Sequence, residues 1–300
     1  MMKYIWRVGI VLLLLLCMLL LVPSSAIVAQ AEVVEIPLTA KYGVKPLKSG
    51  YTENGYEDPS ISVTIERGRI YDTNYVVARV KLQNASQIRT AMAQSYYSPS
   101  TDMGTTIARR SNAVLAINGD FFSSRNNEGY VARQGKVYRT RCDKQEYDIL
   151  IIDENGDFHT FIKSQGITVD KKAKLNDSLQ EHITAEGVEG RILHAFTFGP
   201  ALVQEGNPLV VDTGYGYNPN GREPRSAIGQ MGPLSYVMVV AEGRGDSVGV
   251  THQELADFMF LLGCEEAYNL DGGGTAAMYY NGEYFNDLAG SERAGSDIIY

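Results

Sequence analysis

A chain of 300 residues with 44% apolar side chains and ten prolines can bury a large core, which excludes a disordered or collagen-like polypeptide. Asp and Glu number 35 against 27 Lys and Arg, for a formal charge of −8 with no basic tract. That balance excludes nucleic acid as a partner, because affinity for a phosphate backbone comes from clustered Lys and Arg.

Lys3 and Arg7 precede an unbroken apolar run from Val8 to Val22, followed by Pro23, two serines and Ala29-Gln30-Ala31. A basic start, an apolar stretch and a small-residue cleavage site read as an export signal, so residues 1–31 are a signal peptide or an N-terminal membrane anchor. The expected location is secreted or in the cell envelope, with membrane contact confined to that segment. Cys142 and Cys264 then remain, and export would let them pair; two separately buried thiols are the other reading. Residues 32–60 mix Gly, Pro, Tyr and charge without a period and read as a linker or arm. Residues 61–300 read as one domain.

Strand patterns dominate from Ile61 onward. Ile61, Val63 and Ile65 alternate with polar residues, and Tyr75 to Leu82 repeats the pattern. A short helix is predicted over Thr105–Arg110, leading into a strand at Val114–Ile117. Further strands are predicted at Tyr130–Tyr138, Ile149–Asp153 and Phe158–Ile162, the last two joined by a hairpin through Asn155-Gly156. The polar stretch from Thr168 to Gly190 reads as a surface insertion, helical around Leu175–Ile183. Strands resume at Ala195–Val203, Ser226–Gln230 and Ser235–Ala241. Thr251 and Glu254 then form a capping box, Leu255, Phe258, Met259 and Leu262 share one helical face, and Gly263 ends the helix. The expected fold class is α+β (mixed α/β): a single domain of mainly antiparallel sheets flanked by a few helices.

Several familiar patterns fail on inspection. Gly245-Asp-Ser-Val-Gly249 matches a serine nucleophile elbow, but the one histidine after Ser247 is His252, too close to complete a triad. No H-E-x-x-H or H-x-H spacing supports catalytic zinc, and no D-x-D-x-D-G run marks a calcium loop. His252, at the helix start, reads as solvated.

Three segments carry more chemistry. Asn118-Gly-Asp-Phe-Phe122 follows a buried strand and offers an amide, a carboxylate and rings for a sugar; an Asx-turn with core phenylalanines is the competing reading. Glu242-Gly-Arg244 stands at another strand end. In Asn269-Leu-Asp-Gly-Gly-Gly-Thr275, three glycines after an acid permit close backbone approach and an N–H nest for an anion.

Taken in order with Gly199-Pro-Ala-Leu202, Pro224-Arg-Ser-Ala-Ile-Gly229 and Glu254-Leu-Ala256, these segments resemble the phosphodiester glycosidase family. The resemblance runs from about Ile61 to a closing strand at Arg293–Tyr300. Glu242 stands where Asp is expected and Thr275 where Ser is common.

The resemblance implies hydrolysis of a sugar-1-phosphodiester, in an envelope or extracellular glycan, to free sugar and a phosphomonoester. Such a leaving group is already a weak base, so charge stabilisation outweighs proton donation, while the oxocarbenium-like centre still needs a carboxylate. Asp271 ranks first for that carboxylate, then Asp120 and Glu242. Arg225 and Arg244 are the expected phosphate ligands, assisted by the N–H groups of Gly272, Gly273 and Gly274, with Asn118, Asn269 and Thr275 also binding substrate. No cofactor is expected to be required, and calcium is left open. An exported, non-catalytic glycan- or cell-wall-binding domain is the alternative. The partner is thus a carbohydrate; the sequence carries no signal for an oligomeric state.

Overall fold

The structure, a computed structural model, describes residues 35–96, 100–122, 129–141, 147–169 and 183–300. Residues 1–31, Cys142 and most of the charged insertion, including the helix expected there, lie outside the described residues.

Among the described residues, three antiparallel sheets carry most of the fold. The first has nine strands, in the spatial order Tyr51–Thr52, Gly55–Glu57, Ile61–Ile70, Thr73–Leu82, Ser235–Ala241, Arg225–Gly232, Glu266–Leu270, Ala201–Gln204 and Asn207–Pro208. The second runs Phe158–Phe161, Ile149–Asp153, Ile192–Thr197, Gly129–Arg133 and Lys136–Arg141. The third runs Glu283–Tyr284, Met278–Tyr280, Leu115–Asn118, Asp297–Ile299 and Thr90–Met92. A two-stranded ribbon, Ile167–Val169 with Ile183–Ala185, brackets the insertion. Two α-helices occur among the described residues, α1 (Gly104–Arg110) and α2 (His252–Leu261), so the expectation of mainly antiparallel sheets with a few helices holds in part, in a domain dominated by its sheets.

One apolar cluster draws on all three sheets, joining Val76, Val240 and Leu270 to Leu150 and Phe196 and to Ile117 and Ile299. Val77, Val237 and Val239 point the other way and meet Leu255, Ala256 and Met259 of α2. Both faces of the central strands are therefore covered, which is why Val76-Val-Ala78 and Val237-Met-Val-Val240 read as unbroken apolar runs. The helix α2 forms as its capping box predicts: the Thr251 hydroxyl accepts from Glu254 N, and Glu254 reaches back to Thr251 N. Gly263 closes it with φ of 87°.

Three expectations change. The run from Ala195 to Val203 splits into two strands at Gly199 and Pro200, where Gly199 has a positive φ and Pro200 lacks an N–H for the ladder. Tyr130–Tyr138 is a hairpin turning at Gln134-Gly135 rather than one strand, with both residues at positive φ. Residues 51–57 are no loose arm: two short strands extend the first sheet, and Tyr56 is buried with its hydroxyl on Asp58. Of the two readings of the cysteines, Cys264 takes the second: it is a buried free thiol whose pKa desolvation pushes up to about 12.

Register gathers the chemistry at one end of two sheets. In the nine-stranded sheet Ser226 pairs with Leu270 and Arg225 with Ala241, so Asp271, Arg225 and Glu242 leave the sheet together. In the third sheet Ile298 pairs with Asn118, placing Asp297 beside Gly119 and Asp120. The two ends are stitched by Asp271 N donating to Gly119 O at 3.2 Å.

Candidate active site

Asn118 makes that junction. Its Nδ2 donates to Asp271 O at 2.6 Å, and its Oδ1 accepts from the Ser226 hydroxyl at 2.7 Å and from Ala277 N at 3.2 Å. The amide is consumed in joining the two sheets, so the structure gives Asn118 a staple's role in place of the expected sugar contact. Asn269 behaves alike, its Nδ2 donating to Gly199 O at 2.7 Å, while its Oδ1 is buried without a hydrogen-bond partner.

Asp271 follows its strand at that junction. Arg293 Nη2 lies 3.0 and 2.9 Å from its two carboxylate oxygens and 3.1 Å from the Thr275 hydroxyl. Burial pushes the Asp271 carboxyl above its usual range, and Arg293 pulls against that shift. The carboxylate is mostly covered, yet the Arg293 side chain is 54% exposed.

The glycine run is shaped by arginines. A Cβ at Gly272 would lie 2.6 Å from Pro224 O and 3.7 Å from Arg225 Cδ; at Gly273 it would lie 3.2 Å from Arg244 Nη2; at Gly274, 3.3 Å from Arg293 Cβ. Gly272 thus admits the Pro224 carbonyl, Gly273 and Gly274 let Arg244 and Arg293 lie against the turn, and Gly273 also needs its φ of +63°. The nest expected from three N–H groups loses one member, since Gly273 N donates to Pro224 O at 2.8 Å. Arg244 is half exposed and held by Glu223, with Nε and Nη2 at 3.0 and 2.8 Å from Oε2.

Arg225 departs from its expected place as a phosphate ligand. It is 4% exposed, and its guanidinium donates to the carbonyls of Val250, Tyr217, Asn218 and Gly221 at 2.7–3.3 Å. Its fork is spent on the backbone of the loop that precedes it. Glu242 is also set apart: it is buried, and its Oε1 accepts from Asp287 N at 2.9 Å, fixing a loop. His252 is fully buried rather than solvated, and burial with Arg225 nearby lowers its pKa to about 3. The Ser247 hydroxyl accepts from Asn74 N at 2.9 Å, another structural contact.

Asp120 sits deeper, in a buried charge cluster that the sequence did not disclose. Arg133 Nη2 reaches Asp120 Oδ1 at 2.6 Å and Arg133 Nε reaches Asp297 Oδ2 at 2.7 Å, all three side chains almost wholly buried. The second Asp120 oxygen accepts from Thr197 N at 3.0 Å, and the guanidinium lies 4.0 Å from the Phe196 ring centroid. Arg133 serves both carboxylates at once, and buried Arg139 adds a second attraction for Asp120. Burial raises both carboxyls, Asp297 to about 7. The cluster is spaced so widely in sequence that no motif contains it.

Two further residues also escaped the sequence reading. Arg293 looked like the start of a closing strand, although that strand spans Asp297–Ile299 and Arg293 lies in the loop before it. Tyr217 lies in Gly214-Tyr-Gly-Tyr-Asn-Pro-Asn-Gly221, whose paired tyrosines among turn residues were the available signal. Among the described residues, no group of three His, Cys, Asp or Glu side chains could hold a metal.

The chain belongs to the phosphodiester glycosidase family: that family's sequence model matches residues 111–300, which carry Asp120, Arg133, Asp271, Arg293 and Asp297. Among individual proteins, it is 32% identical over 108 residues to the SPbeta prophage-derived uncharacterized protein YomE of Bacillus subtilis (strain 168), a match covering 35% of this chain and 17% of that one. Its fold is similar to the catalytic domain of zebrafish N-acetylglucosamine-1-phosphodiester alpha-N-acetylglucosaminidase, auto-inhibited by its pro-peptide, with a TM-score of 0.61. That likeness covers 89% of this chain and 97% of that one at 15% identity. A hypothetical protein from Synechocystis shares the fold at a TM-score of 0.55 and 18% identity, over 80% of this chain and 61% of the other.

Proposed function

We propose that the protein is an exported hydrolase that cleaves the C1–O bond of a sugar-1-phosphodiester in an envelope or extracellular glycan, releasing free sugar and a phosphomonoester. The observation that carries this reading is the Asp271 carboxylate clasped by a half-exposed Arg293 on a glycine turn that Arg244 also touches. A carboxylate and two accessible guanidinium groups at one turn suit a substrate that develops positive charge at carbon and negative charge on phosphate.

In this scheme Asp271 stabilises or attacks the oxocarbenium-like anomeric centre. Arg293 and Arg244 take the phosphate, whose two anionic oxygens match the planar fork of a guanidinium, and Gly272 and Gly274 supply N–H groups beside them. A phosphate drawing on Arg293 shares the cation that otherwise serves Asp271 alone. Asp120 is the second carboxylate, held from behind by Arg133, and Thr275 orients Arg293 through its hydroxyl. The reaction is proposed to require no cofactor, with calcium left as an ordering ion for loops.

The test is turnover of a matched pair sharing one sugar: its 1-(methyl phosphate) diester and its aryl glycoside. A glycosidase of this kind hydrolyses the diester with much the higher kcat/KM. A glycan-binding domain would bind the sugar and turn over neither.

A further inference from the structure

We propose that Tyr217 is the sugar platform of the site, a ring held at the Asp120–Asp271 end of the sheets by the Arg225 guanidinium and selecting substrates by stacking on the apolar face of a pyranose. This deepens the phosphodiester glycosidase reading above and rests on it.

Three contacts place the ring. Tyr217 lies flat on buried Phe198, with centroids 4.1 Å apart and planes 10° apart. Phe198 directly follows Thr197, whose N–H bonds the Asp120 carboxylate. From the other direction, Arg225 donates to Tyr217 O at 3.0 Å while its own Cδ lies 3.7 Å from where a Gly272 Cβ would stand. The ring is therefore stacked on the residue that follows the Asp120 anchor, and its backbone is held by the arginine that passes the turn after Asp271. Tyr147 flanks it at 6.4 Å between centroids.

The loop is held in a conformation it would not choose alone. Tyr217 and Asn218 have φ of 64° and 55°, a left-handed pair that is unfavourable for a bulky aromatic. Arg225 donates to the carbonyls of both residues and of Gly221, and His252 N donates to Pro219 O at 3.0 Å. So much fixation around one tyrosine that remains 36% exposed suits a preorganised surface better than a core contact. Burial, Tyr147 and then the charges of Asp120 and Asp271 all raise the phenol's pKa, so the platform stays neutral. Arginines for the phosphate and an aromatic face for the sugar would then divide recognition of one substrate between them.

The test uses the full chain and the variants Tyr217→Ala, Tyr217→Phe and Arg225→Met. On the sugar 1-(methyl phosphate) diester, Tyr217→Ala should raise KM about ten-fold with kcat within about three-fold of wild type, the loss expected of one stacking contact. Tyr217→Phe, which keeps the ring, should recover most of that KM, and Arg225→Met, if folded by circular dichroism, should reproduce the alanine variant's KM. A KM for Tyr217→Ala within about two-fold of wild type overturns the platform. An Arg225→Met variant with unchanged KM overturns the arginine's part in it. If wild type fails to turn over the diester at all, the proposed reaction falls, and saturation-transfer NMR with free N-acetylglucosamine decides the platform separately. Transfer lost in Tyr217→Ala supports it; equal transfer, or no transfer even in wild type, overturns it.

Discussion

Gly119→Ala is the sharpest probe of the buried charge cluster behind the site. Gly119 does not have a left-handed φ, so alanine suits its backbone and the cost is purely one of space. A methyl built there would fall 2.6 Å from Asp297 Cγ, and closer still to Oδ1. Asp297 cannot yield freely, because it is fully buried and its Oδ2 holds Arg133 Nε at 2.7 Å. Displacing it combines overpacking with a weakened charge-assisted hydrogen bond, together about 3 kcal/mol. For a domain of this size that corresponds to a fall in Tm of roughly 6–12 °C. Arg133 also aligns Asp120, so kcat/KM should fall beyond any loss from unfolding. The assay is thermal and urea denaturation of four proteins: wild type, Gly119→Ala, Asp297→Ala and the double variant. Shortening Asp297 removes the atoms in the way, so in that background Gly119→Ala should cost no more than about 0.5 kcal/mol. Equal costs in both backgrounds, or no cost in wild type, would refute the steric coupling.

Other consequences follow from the same geometry. Arg244→Ala should lower kcat/KM on the sugar-1-phosphodiester by about a hundred-fold, the value of one oriented donor, and lower any aryl glycoside activity far less; equal losses on both substrates would make that arginine structural, whereas Arg293→Ala, which also strips Asp271 of its partner, should lower both activities. The raised Asp297 carboxyl contributes stability that is complete below its unfolded pKa near 4 and is lost as pH rises through about 7. Relative to Asp297→Asn, wild type should therefore gain Tm as pH falls from about 8 to 5, and a constant difference would contradict the shifted carboxyl. Selective zinc chelation should leave turnover intact; loss restored by zinc would overturn the residue assignments. Arg225→Lys, which cannot span four carbonyls, should melt lower than wild type by several degrees, and an unchanged Tm would leave the loop without its proposed anchor.

What the sequence disclosed was local. The capping box of Thr251 and Glu254, the face made by Leu255, Phe258 and Met259, and the hairpin at Asn155-Gly156 each rest on residues a few positions apart, and each forms. The strands over residues 73–82 and 235–241 were legible because burial on both faces demands continuous β-branched and apolar residues. Asp120 and Asp271 were legible as strand-end acids beside glycine, and the register does bring their strands to one junction. The Asp120–Arg133–Asp297 cluster was hidden, because its members lie 13 and 164 residues apart and only the folded sheets unite them. The setting of Arg225 was hidden for the same reason: an arginine in a polar motif does not disclose its carbonyl partners across the 217–221 loop. His252 looked solvated at a helix start, yet the residues packed over α2 bury it. Residues 51–57 form strands of only two and three residues, too short for any alternation to register.

Which bond breaks is the central claim, and isotope labelling reads it directly. Hydrolysis of the sugar 1-(methyl phosphate) diester in water enriched in oxygen-18 distinguishes attack at carbon from attack at phosphorus. The phosphomonoester is the species to analyse, because the anomeric oxygen of the free sugar exchanges with solvent. Attack at the anomeric centre beside Asp271 predicts methyl phosphate released without label by mass spectrometry, with Asp271→Asn abolishing its release. Methyl phosphate carrying one oxygen-18 would mean P–O cleavage and would contradict the glycosidase account.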